Sequence, residues 1–406
     1  FHSSHCSIMT RGRSSKAKSP DTKCAESKTR PEDFKRFTED KKCSEETQTK
    51  LKLFKTLEIL KIKRTDTSAA SKVVNEIVDT IFKHLKNNTL RFKEVEEPLR
   101  IGSYCEHLKI SKPDGFDVMM PIPVDPVTVE PVGDDGASYR VKLKRKKSLL
   151  QTFAEAGTLS ASRMLKKFRE EVKKSVQTCT GDMDGGKKVG CPAVTLTRRV
   201  GSTTISLNIV LSIVVKSRWP PATKDGIKID GWLGRIVKQE HKRKPFYLVP
   251  KYEGNDAWRI SFSHVEKAIM INHGSEKTCC ENGVSKQCLQ LLKHLLSLLK
   301  ANSSFDKFCS YHAKTTLLHA CCSRTKDSDW KLSNLSQCFR QLLMDFVAHL
   351  EARVLNNFFI PTQNLLAESS KWHLCNCLFL TISCWSLTFI SSSLLFHAFG
   401  IFYFIL

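Results

Sequence analysis

Acidic residues are in short supply. Against 65 Lys and Arg, the 406 residues carry only 41 Asp and Glu, a formal net charge of +24. That imbalance argues for a polyanionic partner, nucleic acid first and an anionic membrane surface second, over the plainer reading of a merely soluble basic surface. A secretory signal is also lacking, because the opening stretch FHSSHCSIMTRGRSS has no apolar core. The chain opens on Phe1 rather than Met, and its true start is expected upstream. The 16 cysteines lack the regular spacing of a disulfide framework in a small secreted domain. They read as free thiols or metal ligands in a reducing compartment. Internal repeats are absent. Apolar residues are not scarce: at 41% they exclude a wholly disordered chain and suffice for one large or two small domains.

Residues 1–50 are rich in Lys, Arg, Ser, Thr and Glu and read as a disordered basic arm, either a linker or an extra contact to nucleic acid. From Leu51 the texture changes. LKLFKTLEILKIKR and SAASKVVNEIVDTIFKHLK both place apolar residues at helical spacing, with Val73, Val74, Ile77, Ile81 and Leu85 on one face. Lys61, Lys63, Arg64 and Lys72 lie around the joint between the two segments. Phe116 to Val124, Ser138 to Leu143 and ISLNIVLSIVV (205–215) read as strands, and 159–174 as a helix with a basic face. From Trp232 onward helical patterns dominate, clearest at 288–300 and 335–355. The expected layout is a mixed α/β lobe over 51–231 and a helical lobe over 232–368. Residues 369–406 form an atypical apolar tail, free of Asp, Glu, Lys and Arg from Leu374. It is long enough for a tail anchor. Its abrupt change of composition favours an alternative coding end instead.

The most informative segment is IGSYCEHLKISKPDGFDVMMPI (101–122). A Gly-Ser pair opens a helix, and a strand carrying an acid follows. Gly-Ser backbone and hydroxyl groups at a helix start can cradle phosphates. Acids at i and i+2 of a strand share one face and can hold divalent metals, and a third acid from a neighbouring strand completes a two-metal phosphoryl-transfer site.

Here the sequence resembles the cyclic GMP-AMP synthase family, nucleotidyltransferase-fold sensors of cytosolic double-stranded DNA. The likeness covers about residues 51–368 and rests on GSYCEHLKISKPDGFDV, LSASRMLKKFR, CPAVTL, SRWP, KPFYLVPK, WRISFSHVEK, NHGSEKTCCEN, SYHAKT and NNFFIP. It implies an α/β (α+β) nucleotidyltransferase lobe with a central mixed sheet and a long N-terminal spine helix. It also implies a helical C-terminal lobe with a zinc-binding insertion. The family reaction makes cyclic GMP-AMP from ATP and GTP once DNA is bound, using Mg²⁺ or Mn²⁺ held by three acids. The matching positions here are Gly115, Asp117 and Asn208. Only Asp117 keeps an acid, since Gly115 offers no ligand and Asn208 a neutral oxygen. As written, the chain is expected to be a poor catalyst or none, a catalytically impaired DNA- and nucleotide-binding relative, unless Asp114 or Glu106 supplies a missing ligand. By the same resemblance Gly102 and Ser103 contact the triphosphate, Arg259 and Ser261 the guanine base, Lys293 and Ser310 phosphates, and Tyr311 stacks on a base, with Lys251 nearby.

In NHGSEKTCCENGVSKQC, His273, Cys279, Cys280 and Cys288 offer one imidazole and three thiolates, a closed set suited to structural Zn²⁺. Buried free thiols are the alternative. The family has such a zinc thumb and uses it to grip DNA and build a dimer. The last spacing here is one residue longer than the family's usual one, so Cys288 is read as a neighbour that has replaced the usual ligand. The matching DNA contacts are Lys61 and Arg64 on the helix, and Lys267 and Lys277 beside the thumb. No base-reading motif is present, so binding is expected to ignore sequence. The expected partners are therefore double-stranded DNA, ATP, GTP and a second copy of the chain, with a membrane only through the tail. The expected compartment is the cytoplasm, with the nucleus second and a tail-anchored form a minor alternative.

Overall fold

The computed structural model describes residues 31–124, 126–145, 148–177, 192–201, 203–251, 256–272, 283–300 and 309–367. The chain divides into two compact units, Phe1–Ser44 and Glu45–Leu406. Helix α1 spans Pro31–Leu60, so the 31–50 part of the expected arm is helical, and its 1–30 part lies outside the described residues. Pro31 suits a first helical position, and the Lys- and Glu-rich run after it is a good helix former without a hydrophobic face. Composition alone therefore conceals it. The last turns of α1 do carry a face, with Leu53, Leu57 and Leu60 buried. A break at 61–63 separates α1 from α2, Arg64–Asn88, and Lys63 adopts an extended backbone there. The spine is thus two helices. Helix α2 buries Val74, Ile77, Val78, Ile81 and Leu85.

Among the described residues the sheet has ten strands. They are β1 (Leu99–Ile101), β2 (Gly115–Pro123), β3 (Val127–Val132), β4 (Ser138–Leu143), β5 (Ala154–Glu155), β6 (Thr158–Leu159), β7 (Ala193–Val200), β8 (Thr203–Val215), β9 (Phe246–Pro250) and β10 (Trp258–Ser261). Its path runs β1-β2-β8-β9-β10-β4-β6-β5, with β3 on β4 and β7 on β8. The β2–β8 pair is parallel, whereas every other pair in the path is antiparallel. Strand β8 buries Ile205, Leu207, Ile209, Leu211 and Ile213 in alternation, and such burial contributes about 1.5–3 kcal/mol per large apolar side chain. The sheet does not end near residue 231, because β9 and β10 belong to it. Their short runs FYLVP and WRIS lie inside a stretch whose overall texture is helical.

The remaining helices are α3 (Gly102–Cys105), α4 (Ala161–Gln177), α5 (Arg235–Arg243), α6 (Ser263–Asn272), α7 (Val284–Lys300), α8 (Ser310–Ser323) and α9 (Leu335–Ala352). Helix α4 packs on α2, and α7 packs on α8 and α9. One hydrophobic cluster runs from Leu53 through the sheet to Leu366, so the two expected lobes share a core. A C-terminal strap closes the seam between them. Phe358, Phe359, Ile360 and Leu366 are buried. Ile227 N–H donates to the Phe358 carbonyl at 2.9 Å. A Cβ on Gly226 would strike the Phe359 carbonyl, so only glycine allows that close approach. The Phe359 ring stacks on Phe262 at 4.8 Å, and Thr362 Oγ1 donates to the Asp135 carbonyl at 3.0 Å.

Candidate nucleotidyltransferase site

Strand register builds the centre of the site. Asp117 pairs with Ile101 on one side and Asn208 on the other, and Asn208 pairs with Thr195. Residues opposed across strands share a face. Asn208 Nδ2 donates to Asp117 Oδ1 at 2.8 Å, and Thr195 Oγ1 donates to Asn208 Oδ1 at 2.9 Å. The other carboxylate oxygen of Asp117 packs against Gly102, where any Cβ would collide with it. Gly102 also has φ +79°, so glycine is needed twice over at the mouth of α3. Gly102, Ser103, Asp117 and Asn208 are thereby brought together.

Gly115 opposes Ser206, two residues before the Asp117 pair and on the same face. A Cβ at Gly115 would meet only Lys109 Nζ, at 3.0 Å. Lys109 is anchored by Asp114 at 2.7 Å. One oxygen of Asp114 is thus taken by an ammonium. Glu106 is fully buried, with Oε1 accepting from Lys314 at 2.9 Å and Oε2 buried without a hydrogen-bond partner.

Lys314 ties three elements together. From α8 it donates to Glu106, just after α3, and to Glu266 of α6 at 2.8 Å. Burial opposes its charge, yet Glu266 and Glu106 outweigh burial and raise its pKa. Burial likewise raises Glu106, and Lys314 works the other way. Tyr311 lies beside this cluster, with Lys314 Nζ 5.9 Å from its ring centre. Burial, and then the Glu266 carboxylate, push its hydroxyl well above the ordinary value, while Arg259 pulls it down. Lys293 donates to the Leu108 carbonyl at 2.6 Å. Burial, then repulsion from Lys109 and Lys314, lowers its pKa to about 8. Ser261 Oγ lies 3.1 Å from Ser263 Oγ, while Ser310 and Lys251 are exposed, Ser310 as the first residue of α8.

The metal that such a site needs for catalysis can be tested against its donors. A pair of divalent ions wants anionic oxygens that bridge them. This site offers the Asp117 carboxylate, already accepting an amide N–H, and an Asn208 whose oxygen is turned to Thr195. The reversed amide would set two oxygens against each other across the strands. Among the described residues no group of three or more His, Cys, Asp or Glu could hold a metal ion. The residues present do not fit a two-metal centre.

Three of the candidate DNA residues, Lys61, Arg64 and Lys267, are described. Lys61 pairs with Glu58 at the end of α1, and Arg64 opens α2. Lys267 of α6 donates to the Arg100 carbonyl at 2.9 Å, and the Arg100 guanidinium binds Asn75 of α2 at 2.8 Å. Tyr104 of α3 is bound to α2 as well, its hydroxyl 2.6 Å from Ser71 Oγ. Lys277, His273, Cys279 and Cys280 lie outside the described residues. Cys288 is fully buried in α7, within the hydrophobic cluster. The apolar tail lies outside the described residues too, and among those described no helix is long and apolar enough to cross a membrane.

Lys109, Thr195, Glu266 and Lys314 escaped the sequence reading. Lys314 could have been found, since it follows Ser310 by four residues and so shares its helix face. The partners of Lys109 and Thr195 are set by loop closure and strand pairing, which leave no local signal.

A strand acid beside a Gly-Ser loop, inside a mixed sheet backed by helices, defines a nucleotidyltransferase-type protein. Residues 104–272 match the Mab-21 protein nucleotidyltransferase domain and 284–379 the Mab-21 protein HhH/H2TH-like domain. The second match carries the likeness past Glu368. Cyclic GMP-AMP synthase of Mus musculus is 43% identical over 333 residues, covering 78% of this chain and 65% of the relative. The Sus scrofa protein of the same name is 42% identical, covering 78% and 67%. A cyclic GMP-AMP synthase-like receptor of Magallana gigas is 30% identical over 192 residues, 44% of this chain and 31% of the receptor. The chain belongs to the cyclic GMP-AMP synthase family. It spans about two thirds of the length of the two mammalian relatives.

Proposed function

We propose that this chain is a sensor of double-stranded DNA in innate immunity that binds DNA and nucleotide but makes little or no cyclic GMP-AMP from ATP and GTP. The observation that carries this reading is the Asn208 amide donating to Asp117 beside a side-chain-free Gly115. Loss of metal-centred charge stabilisation costs several kcal/mol of barrier, or several powers of ten in rate. Nucleotide would be held by Gly102, Ser103, Lys251, Arg259, Ser261, Lys293, Ser310 and Tyr311, and DNA by Lys61, Arg64, Lys267 and Lys277 without regard to sequence. His273, Cys279, Cys280 and Cys288 would hold a structural Zn²⁺, and the protein would act as a homodimer on DNA. The cytoplasm is the proposed compartment, with the nucleus second. The test is synthesis of cyclic dinucleotide from ATP, GTP, Mg²⁺ and DNA. The unmodified chain should give almost none, and Gly115→Glu with Asn208→Asp should raise the rate by several powers of ten. A Cβ at 115 meets only the Lys109 ammonium, at 3.0 Å and at the tip of its side chain, and a small shift of that tip lets the double variant fold. Robust product from the unmodified chain would restore the enzymatic reading.

A further inference from the structure

We infer that the site takes a nucleoside triphosphate without a divalent metal, the Lys109 ammonium standing where a carboxylate at position 115 would otherwise hold the ion. This rests on the nucleotide-binding reading above and adds what neutralises the phosphates. Lys109 Nζ is 3.0 Å from the point a Cβ on Gly115 would occupy. The ammonium is not a wandering surface group: Asp114 fixes it at 2.7 Å, and its side chain is 23% exposed. The strand position that would present an anion to a metal therefore faces a cation.

The rest of the row agrees. Asn208 turns its N–H toward Asp117 and gives its oxygen to Thr195, so no lone pair of Asn208 faces the gap between them. An ion placed there would face one carboxylate and an ammonium of its own sign. A polyphosphate meets the opposite situation, since it accepts from ammonium groups directly. Lys293 is a second such donor, near enough to Lys109 for their charges to repel, and an incoming anion would relieve that repulsion. Lys314 is held between two buried carboxylates, Glu106 and Glu266, so it contributes position, whereas Lys109 meets a single carboxylate, Asp114, that is 48% exposed and can be solvated when a phosphate takes its place.

Equilibrium binding of ATP and of GTP to the full chain, in excess Mg²⁺ and in EDTA, tests this. The dissociation constants should differ by less than about threefold between the two conditions. Lys109→Met should weaken binding about tenfold or more in EDTA, while Lys109→Arg should retain it. In Gly115→Glu with Asn208→Asp, Mg²⁺ should tighten binding more than about tenfold. The inference is overturned if Mg²⁺ tightens binding to the unmodified chain by that much, or if Lys109→Met binds like the unmodified chain. Binding of neither nucleotide in either condition would overturn the nucleotide-binding reading itself.

Discussion

Lys293 sits where its charge is costly, half-buried beside Lys109 and Lys314, and its pKa falls to about 8 from an ordinary 10.5. Between those values the unfolded chain binds the extra proton, so this residue makes stability rise with pH over that window. For an anionic ligand the sign is opposite. The ammonium is the form that holds phosphate, so ATP affinity should fall as pH rises through about 8. Lys293→Arg stays protonated and should flatten the profile, as titration calorimetry across pH 7 to 9.5, a range of about 2.5 units around that value, would show. An unchanged profile in the variant would remove Lys293 from the phosphate site. The residues of this site differ in how they could be seen. Asp117 is visible in sequence as the strand acid that follows the Gly-Ser pair, and Gly115 and Asn208 are visible only through the family resemblance. Lys109 is not, because its approach to Gly115 depends on how the loop over 107–114 folds back.

Three elements meet on Lys314. Helix α8 carries it, α6 supplies Glu266, and the turn after α3 supplies Glu106. Removing the cation would strand two buried carboxylates, and breaking a buried pair in this way costs about 3–5 kcal/mol. Lys314→Met should lower the melting temperature accordingly. Adding Glu106→Gln and Glu266→Gln should recover most of the loss, because neutral amides need no counter-charge. A Lys314→Met protein that melts like the unmodified chain would contradict the assigned pair. At this scale the sequence is a fair guide where one face is apolar and the period is clear. Strand β4 falls at its expected bounds, and α2, α4, α7, α8 and α9 lie in or overlap the expected helical segments. Strands β9 and β10 are missed because both are short, and β9, buried throughout, gives no alternation to read in FYLVP.

On the scale of the molecule, charge governs partner choice. Reversing Lys61, Arg64, Lys267 and Lys277 to Glu takes the net charge from +24 to +16, since each reversal subtracts two. Duplex DNA should bind the unmodified chain with affinity that falls steeply as salt rises, and the quadruple variant should lose most of it, as a gel shift would record. Full affinity in the variant would place the DNA surface elsewhere. The same preparation should carry about one zinc per chain by elemental analysis, lost in Cys279→Ala. The shared core also has a consequence for how the chain is made. The strap that ends at Leu366 packs Phe359 against Phe262, just beyond the last strand, and bridges to Asp135. A ribosome adding about 5–20 residues per second needs roughly 5–20 s to go from the end of β10 to the end of the strap. For that interval Phe262, and Trp219 whose ring lies 4.4 Å from Phe262 and 6.4 Å from Phe359, lack the strap residue that packs on both. Holdase chaperones should therefore meet this protein late in its synthesis, at a seam still open.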